Sequence, residues 1–544
     1  MNAALVVLVS FAALILAYFT YGRFIARRIF ALDPNRRTPA HELEDGVDYV
    51  PTRPPVLFGH HFASIAGLGP ILGPAIAVIW GWLPAVLWVV LGCIFIGAVH
   101  DLGALSVSLR FKGRTIGDVC RDLMGPRARL LALLIIFLLL ALAMGAFVNA
   151  VSGLFVDFNP DAIIPSFGLM LVAMGVGISV YKFKVGLGPA TVVGLLLFAA
   201  LILCGVRWPV LTYPWLTSPE TRQALAAARD TEPVGDVPGF EKPYGAVAAI
   251  KHLEATGNEA AAKDLAAALP ETKRRWVYTL LAYAFVASVL PVWLLLQPRD
   301  YINSFQLYFA LATLFVGLMV AAATGAPESQ IDAAMFRPDV PARLPLAGET
   351  LASVPRAPSW IPLLFVTIAC GAASGFHSLV SSGTTVRQLN RETDALPIGY
   401  GGMLTEGALA ILVIVACVAG LGAEAWSSGG AYATWSGIKG GGLPAQLNAV
   451  VQGGSHFLAQ LGVPTAYGSA LLAVTIVAFA LTTLDTGTRL LRFNVEAICR
   501  AVKLDFLANR YVGSLAAVAA IAFFGLVREG KTLWVLFGTT NQLL

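Results

Sequence analysis

The sequence predicts an all-α polytopic membrane protein with about twelve full transmembrane helices and the start of a thirteenth. Three observations predict it. Of the 544 residues, 57% are hydrophobic and 13% charged, with a mean hydropathy of +0.74. A soluble domain carries about 25% charged residues, and no soluble chain of this size can hide so much apolar surface. That excludes a soluble enzyme, a disordered protein and a nucleic-acid-binding module. Second, the apolar residues gather into runs of roughly 20, the length that crosses a hydrocarbon core. Third, the basic residues are sorted between alternate loops.

The runs lie near 3–21, 57–83, 84–109, 130–151, 163–181, 185–205, 276–296, 304–324, 360–385, 399–422, 465–488 and 511–527. Met1 leads directly into the first, and no small-residue cleavage site follows it. It therefore reads as a membrane helix rather than a signal peptide. A further element opens at Thr532 and runs to Leu544. The runs divide the chain into a membrane region 1–206, a helical extracytoplasmic cap 207–275 and a second membrane region 276–544.

Of the 37 Lys and Arg, 22 fall in odd-numbered loops, among them Arg110, Arg129, Arg299, Arg387, Arg489 and Arg500. The short even loops hold four: Arg337, Arg343, Arg356 and Lys439. Arg528 and Lys531 follow the twelfth run. Odd loops are then cytoplasmic and the N-terminus faces out. In the cap, Glu220–Asp230 and Ala246–Leu269 are Ala-rich and favour helix, with Gly and Pro punctuation at Asp236–Tyr244. Its nine basic and nine acidic residues leave no charged footprint. The six cysteines show no metal or disulfide spacing and read as small buried hydrophobes.

Four spans depart from a clean lipid-facing helix. Phe58–Ala77 carries Gly59, Gly67, Gly69, Pro70, Gly73 and Pro74. Gly and Pro weaken a helix by about 1 and 3 kcal/mol. Exposed backbone inside a membrane survives only when buried in protein or lining a cavity. This span should be broken near Gly67–Pro74, leaving half-helix ends suited to ions and carboxylates. In Thr367–Thr385, the residues Gly371, Ser374, Ser378, Ser381 and Thr385 recur at helical spacing and predict one polar face. In Leu481–Phe493, Asp485 and Arg489 stand four apart and can pair on one helix face. In the seventh span, Pro291 interrupts Ala287–Trp293.

Ionisable groups at depth are few: His60, His61, Asp101 beside His100, His377, Glu406 and Asp485. Such groups usually face a wet interior or a partner, and together they form an inventory for carrying protons. A membrane metal-binding enzyme or sensor built on these histidines is the competing reading, although no HxxxH or ExxH spacing occurs. No Walker loop, dinucleotide fingerprint or nucleophile–base motif is present, and no cofactor is expected.

The stretches FGHHFASIAGLGPILGP (58–74), GAVHDLGALSVSLR (97–110), SVLPVWLLLQPRDYINS (288–304), ACGAASGFHSLVSSGTT (369–385), IGYGGMLTEG (398–407), LDTGTRLLRF (484–493) and LFGTTNQLL (536–544) resemble the carbon starvation protein A family. The chain departs from that pattern at His100, where the family commonly has Gln. Family members also continue past the last stretch, so the chain reads as ending early. The resemblance implies a multi-pass transporter of the bacterial inner membrane, induced when carbon runs short. Members are described as peptide transporters, and close relatives as pyruvate–proton symporters. It also implies a leucine-transporter-like core of the amino acid–polyamine–organocation type, an inverted repeat with broken helices. The second, seventh and ninth spans would then be core helices one, six and eight.

Alternating-access symport follows as the expected mechanism. Ser64, Gly67, Gly69, His377 and Ser378 would hold a small substrate, pyruvate or a peptide. His61, Asp101, Glu406, Asp485, Ser381, Ser382 and Thr384 would serve proton or sodium coupling.

Overall fold

A computed structural model describes residues 1–46, 49–229, 245–291, 294–346, 348–440, 442–527 and 535–543. Among them there is no strand, only three isolated bridges. Among the described residues, eight helices are long and apolar enough to cross a membrane, or nine if one bent pair counts as a single span.

The chain begins with α1 (Ala3–Ile29), whose first turn is capped by Asn2 accepting from the Ala4 amide at 2.8 Å. The bent pair follows as α2 (Pro54–Ile65) and α3 (Gly69–Trp80), 48° apart. Ala66 leaves helical geometry at ψ 59°, and Pro70, with no N–H to give, is accepted only in the first turn of a new helix. Gly81, at φ +113°, makes the sharp turn into α4 (Trp82–Arg110). Only glycine adopts that φ readily. Short α5 (Ile116–Met124) leads to α6 (Pro126–Phe158), α7 (Pro160–Val180) and α8 (Leu187–Arg207).

Two cap helices, α9 (Pro219–Arg229) and α10 (Ala246–Ala255), pack on the start of α11 (Glu259–Val289). Leu225, Leu253 and Leu265 share a small core there with Tyr213 and Val156. Lys273 ties the cap to the end of α6 by an ion pair with Asp157 at 2.6 Å. The helix α11 runs unbroken across position 275, so cap and membrane region share one rod. The Asp236–Tyr244 punctuation lies outside the described residues.

The second half continues with α12 (Leu296–Thr324), α13 (Trp360–Thr367), α14 (Gly375–Gly383), α15 (Glu392–Gly420), α16 (Gly442–Ala459), α17 (Thr465–Ala501), α18 (Arg510–Leu526) and α19 (Val535–Leu543). Both α15 and α17 are 89% buried over their apolar windows and form the centre of the bundle. A seam of buried polar side chains joins α12 to α17. Asn303 donates to Thr482 at 2.7 Å and Gln306 to Thr475 at 2.9 Å. In an apolar solvent such bonds bind helices that hydrophobic burial alone does not.

Several runs fold differently from their expected form. The seventh ends at Val289, and the interruption near Pro291 is a junction to α12, which starts at Leu296 rather than near 304. The ninth is two short helices with non-helical chain between them. The residues Arg528, Lys531 and Thr532 lie outside the described residues. Helix α16 was not legible as a span, because Gln446, Asn448, Gln452 and His456 dilute its apolar character. It is nonetheless packed closely. A Cβ on Gly453 would run into the Ala416 carbonyl of α15. Gly453→Leu is therefore expected to destabilise the fold by about 1–3 kcal/mol or more, read as a lowered melting temperature in detergent. An unchanged melt would show that this crossing is loose.

The sorted loops meet at opposite ends of the bundle. At one end Arg36 and Arg110 both pair with Glu392, and Thr52 bridges to Leu389. At the other, Ile331 bonds to the Met1 carbonyl, Asp332 to Val418, and Leu83 to Met335.

Candidate functional site

Two helix breaks face each other inside the bundle. One is Ala66–Leu68, between α2 and α3; the other is 368–374, between α13 and α14. Pro70 approaches Gly371, and a Cβ on Gly69 would strike the Cys370 side chain. A Cβ on Gly67 would lie 2.6 Å from the Thr483 hydroxyl of α17. At both points a Cβ would force a neighbouring side chain to move. The second break corrects the expected polar stripe. Gly371 and Ser374 precede α14 and Thr385 follows it, so only Ser378 and Ser381 of the five lie on that helix. Asn541 of α19 sits at that break. Its side-chain oxygen accepts from the Phe376 amide at 2.8 Å, and its amide nitrogen donates to Ser374 at 3.2 Å. It thus satisfies an amide that the start of α14 leaves without an intrahelical partner.

One turn further along α14 lies a cluster of ionisable groups. His377 is fully buried, with Nδ1 at 2.7 Å from Asp101 of α4 and Nε2 at 3.1 Å from Glu406 of α15. The first contact has hydrogen-bond geometry. The second is close enough for an ion pair but lacks that alignment. Both carboxylates are fully buried too. His100 contacts the other Asp101 oxygen at 3.2 Å, and its side chain is 32% exposed. The backbone explains the convergence. A Cβ on Gly399 would lie 3.2 Å from the Leu102 nitrogen and 3.3 Å from the Asp101 carbonyl carbon, so α15 can lie close on α4. His61 packs beside Gly402, one turn before Glu406, and its Nδ1 bonds Thr385 at 2.9 Å. With His377 protonated and both carboxylates ionised, the cluster carries one net negative charge in a buried setting. Such a charge is costly until a proton or cation neutralises it.

Asp485 belongs elsewhere. It pairs with Arg299 of α12 and accepts from the Tyr283 hydroxyl of α11. The expected partner, Arg489, instead donates to the Ala287 and Leu290 carbonyls at the end of α11. The reason is burial. Arg299 is only 1% exposed and needs its acceptors, while Arg489 closes carbonyls that the end of α11 leaves open. Arg299 also bonds Asp300 at 3.0 Å, and His60 Nδ1 meets Asp300 at 2.9 Å. Arg299 is thus removed from the cytoplasmic loop count. Sequence reasoning missed Arg299, Asp300 and Tyr283 as partners of His60 and Asp485. The available signal was an adjacent Arg–Asp pair between the apolar runs of SVLPVWLLLQPRDYINS.

The remaining expected residues divide by what their hydroxyls do. Ser64 donates to the His60 carbonyl, Ser378 to Gly375, Ser382 to Ser378 and Thr384 to Val380, each within its own turn or helix. These donors are already used. Ser381 is fully buried, and its hydroxyl has no partner. Among the described residues no group of three or more His, Cys, Asp or Glu is disposed to hold a metal ion, so the histidine metal site has no counterpart there.

The family model described as carbon starvation protein CstA matches residues 2–227, 245–428 and 439–544. A peptide transporter CstA of Bacillus subtilis is 31% identical, the alignment covering 100% of this chain and 83% of that protein. The peptide transporter CstA of Escherichia coli is also 31% identical, over 100% of this chain and 75% of its own length. The pyruvate/proton symporter BtsT of Escherichia coli is 29% identical, over 100% and 76%.

Proposed function

The chain belongs to the carbon starvation protein CstA family, and on that premise we propose that it is a proton-coupled symporter importing a small carbon source, pyruvate or peptides, during carbon starvation. It is a multi-pass membrane transporter and not an enzyme. The observation that carries the coupling is the buried Asp101–His377–Glu406 cluster, which has room for a further proton when His377 is protonated and both carboxylates are ionised. His100, at its partly exposed edge, would pass that proton in. The substrate would bind beside the facing breaks, where backbone at Leu68–Gly69 and the Ser381 hydroxyl offer polar contacts to a carboxylate, the Gly67 amide being already bonded to the Ile65 carbonyl at 2.8 Å.

We keep the leucine-transporter-like inverted-repeat core as the fold reading, on the break in the second span and the end of the seventh at Val289, before Pro291; the break in the ninth span, core helix eight in that scheme, is not one the scheme called for. We place the protein in the bacterial inner membrane with its N-terminus outside, on the sorting of basic loops. The test is uptake into proteoliposomes, comparing labelled pyruvate with dipeptides under imposed proton and sodium gradients. Accumulation driven by the proton gradient alone is expected. Accumulation driven only by sodium sinks the coupling, and entry of neither substrate sinks the reading.

A further inference from the structure

The buried clusters leave one polar cavity unexplained. Its volume is about 240 Å³, and its lining includes Asp118, Arg129, Ser382, Arg387, Glu496 and Arg500. It lies between α5, α6, the end of α14 and the end of α17. It opens at the bundle end where the Arg-rich loops meet. Two of its three arginines are already paired: Arg129 with Asp118 at 2.9 Å and Arg500 with Glu496 at 3.4 Å. Arg387 differs. Among the described residues no carboxylate pairs with it, and its buried Nε has no hydrogen-bond partner. Its guanidinium lies over the Tyr49 ring, 5.2 Å from the centroid. Its carbonyl accepts from the Val50 amide at 3.2 Å, which fixes the backbone beneath it.

A smaller cavity of about 30 Å³ adjoins on the other side of Arg387. It shares Gly383, Arg387 and Phe493 with the larger one and reaches His60. Arg387 therefore stands between the open cavity and the His60–Asp300 pair. An unpaired guanidinium presents a planar fork that matches a carboxylate. The cavity is smaller than the roughly 300 Å³ typical of sites for larger organic ligands, which suits a short acid.

We propose that this cavity is a carboxylate-binding vestibule in which Arg387 grips the carboxylate of a small organic acid, with Ser382 beside it, on the substrate's path past the His60 side. The proposal rests on the transport reading and adds to it a second, cation-based contact apart from the helix breaks.

The experiment is pyruvate uptake by wild-type, Arg387→Gln and Arg387→Lys protein in proteoliposomes, with thermal-shift titration of each purified protein by pyruvate and by its uncharged amide. A hydrogen bond to a charged group supplies enough energy that Arg387→Gln should raise KM about 10- to 100-fold. The maximal rate should change little, and Arg387→Lys should recover part of the loss. Pyruvate should stabilise the wild type more than the amide does, and that difference should shrink in Arg387→Gln; a difference of wild-type size in Arg387→Gln overturns the vestibule. Wild-type KM in an Arg387→Gln variant that melts normally overturns the vestibule alone. An Arg387→Gln variant too unstable to assay leaves Arg387→Lys and the acid–amide difference in wild type to decide. Equal stabilisation by acid and amide overturns the proposal. Wild-type protein that takes up neither pyruvate nor dipeptides overturns the transport reading first.

Discussion

Asp101→Asn is expected to abolish proton-driven accumulation while leaving exchange of substrate across the membrane intact. Asn keeps the shape and still accepts from His377 Nδ1, now 2.7 Å from the carboxylate. It removes the negative charge that makes the cluster take up a proton. With a gradient of one pH unit, one-proton symport sustains up to about tenfold accumulation, since each factor of ten is worth 1.4 kcal/mol. The variant should fall to an internal-to-external ratio near one. Exchange needs only that the carrier reorient with substrate bound, so counterflow of labelled substrate should persist. Glu406→Gln should behave alike, because either carboxylate supplies the excess charge. His100→Gln, at the exposed edge, should keep accumulation and lose rate at most. Wild-type, proton-dependent accumulation by Asp101→Asn would remove Asp101 from the coupling.

Arg299→Gln should be the most destabilising single change in the bundle. Arg299 holds Asp300 at 3.0 Å, Tyr283 at 2.7 Å and Asp485, all inside the protein. Removing one member of a buried ion pair costs about 3–5 kcal/mol, because the other charge is left without a partner. Here two carboxylates lose the same cation. The network also ties α12 to Tyr283 of α11 and Asp485 of α17, so its loss unties α12 from both helices. A lower melting temperature and poor monodispersity in detergent are expected. The double variant Arg299→Gln with Asp485→Asn removes one stranded charge and should recover part of the loss. If Arg299→Gln melts with the wild type, the network is not what ties these helices together.

The histidines and carboxylates of the Asp101–His377–Glu406 cluster were all legible as isolated letters. His377 and Glu406 stood out because an apolar span rarely carries such groups. Their meeting was not legible, since it needs α4, α14 and α15 to converge on one point. Asp485 shows the limit of local spacing. A four-residue separation puts Arg489 on the same helix face, yet a fully buried Arg on another helix takes the carboxylate. The polar stripe failed for a related reason. Periodicity assumes an unbroken helix, and the ninth span breaks at 368–374, beside Pro70 of the second.

By itself the sequence determined that lipid is the solvent, that the protein is helical, and that the loops sort to two ends. Those properties follow from composition and from the sum of many weak local preferences, which need no knowledge of neighbours. It also marked the second span as broken, since Gly and Pro act on their own backbone. Only the tertiary structure decided which charges meet, which arginine is buried in a network and which has no carboxylate partner among the described residues, and that a second break faces the first. Those outcomes depend on distances between residues hundreds of positions apart, as with Asp101 and His377. In an apolar interior, opposite charges in contact attract far more strongly than they do in water.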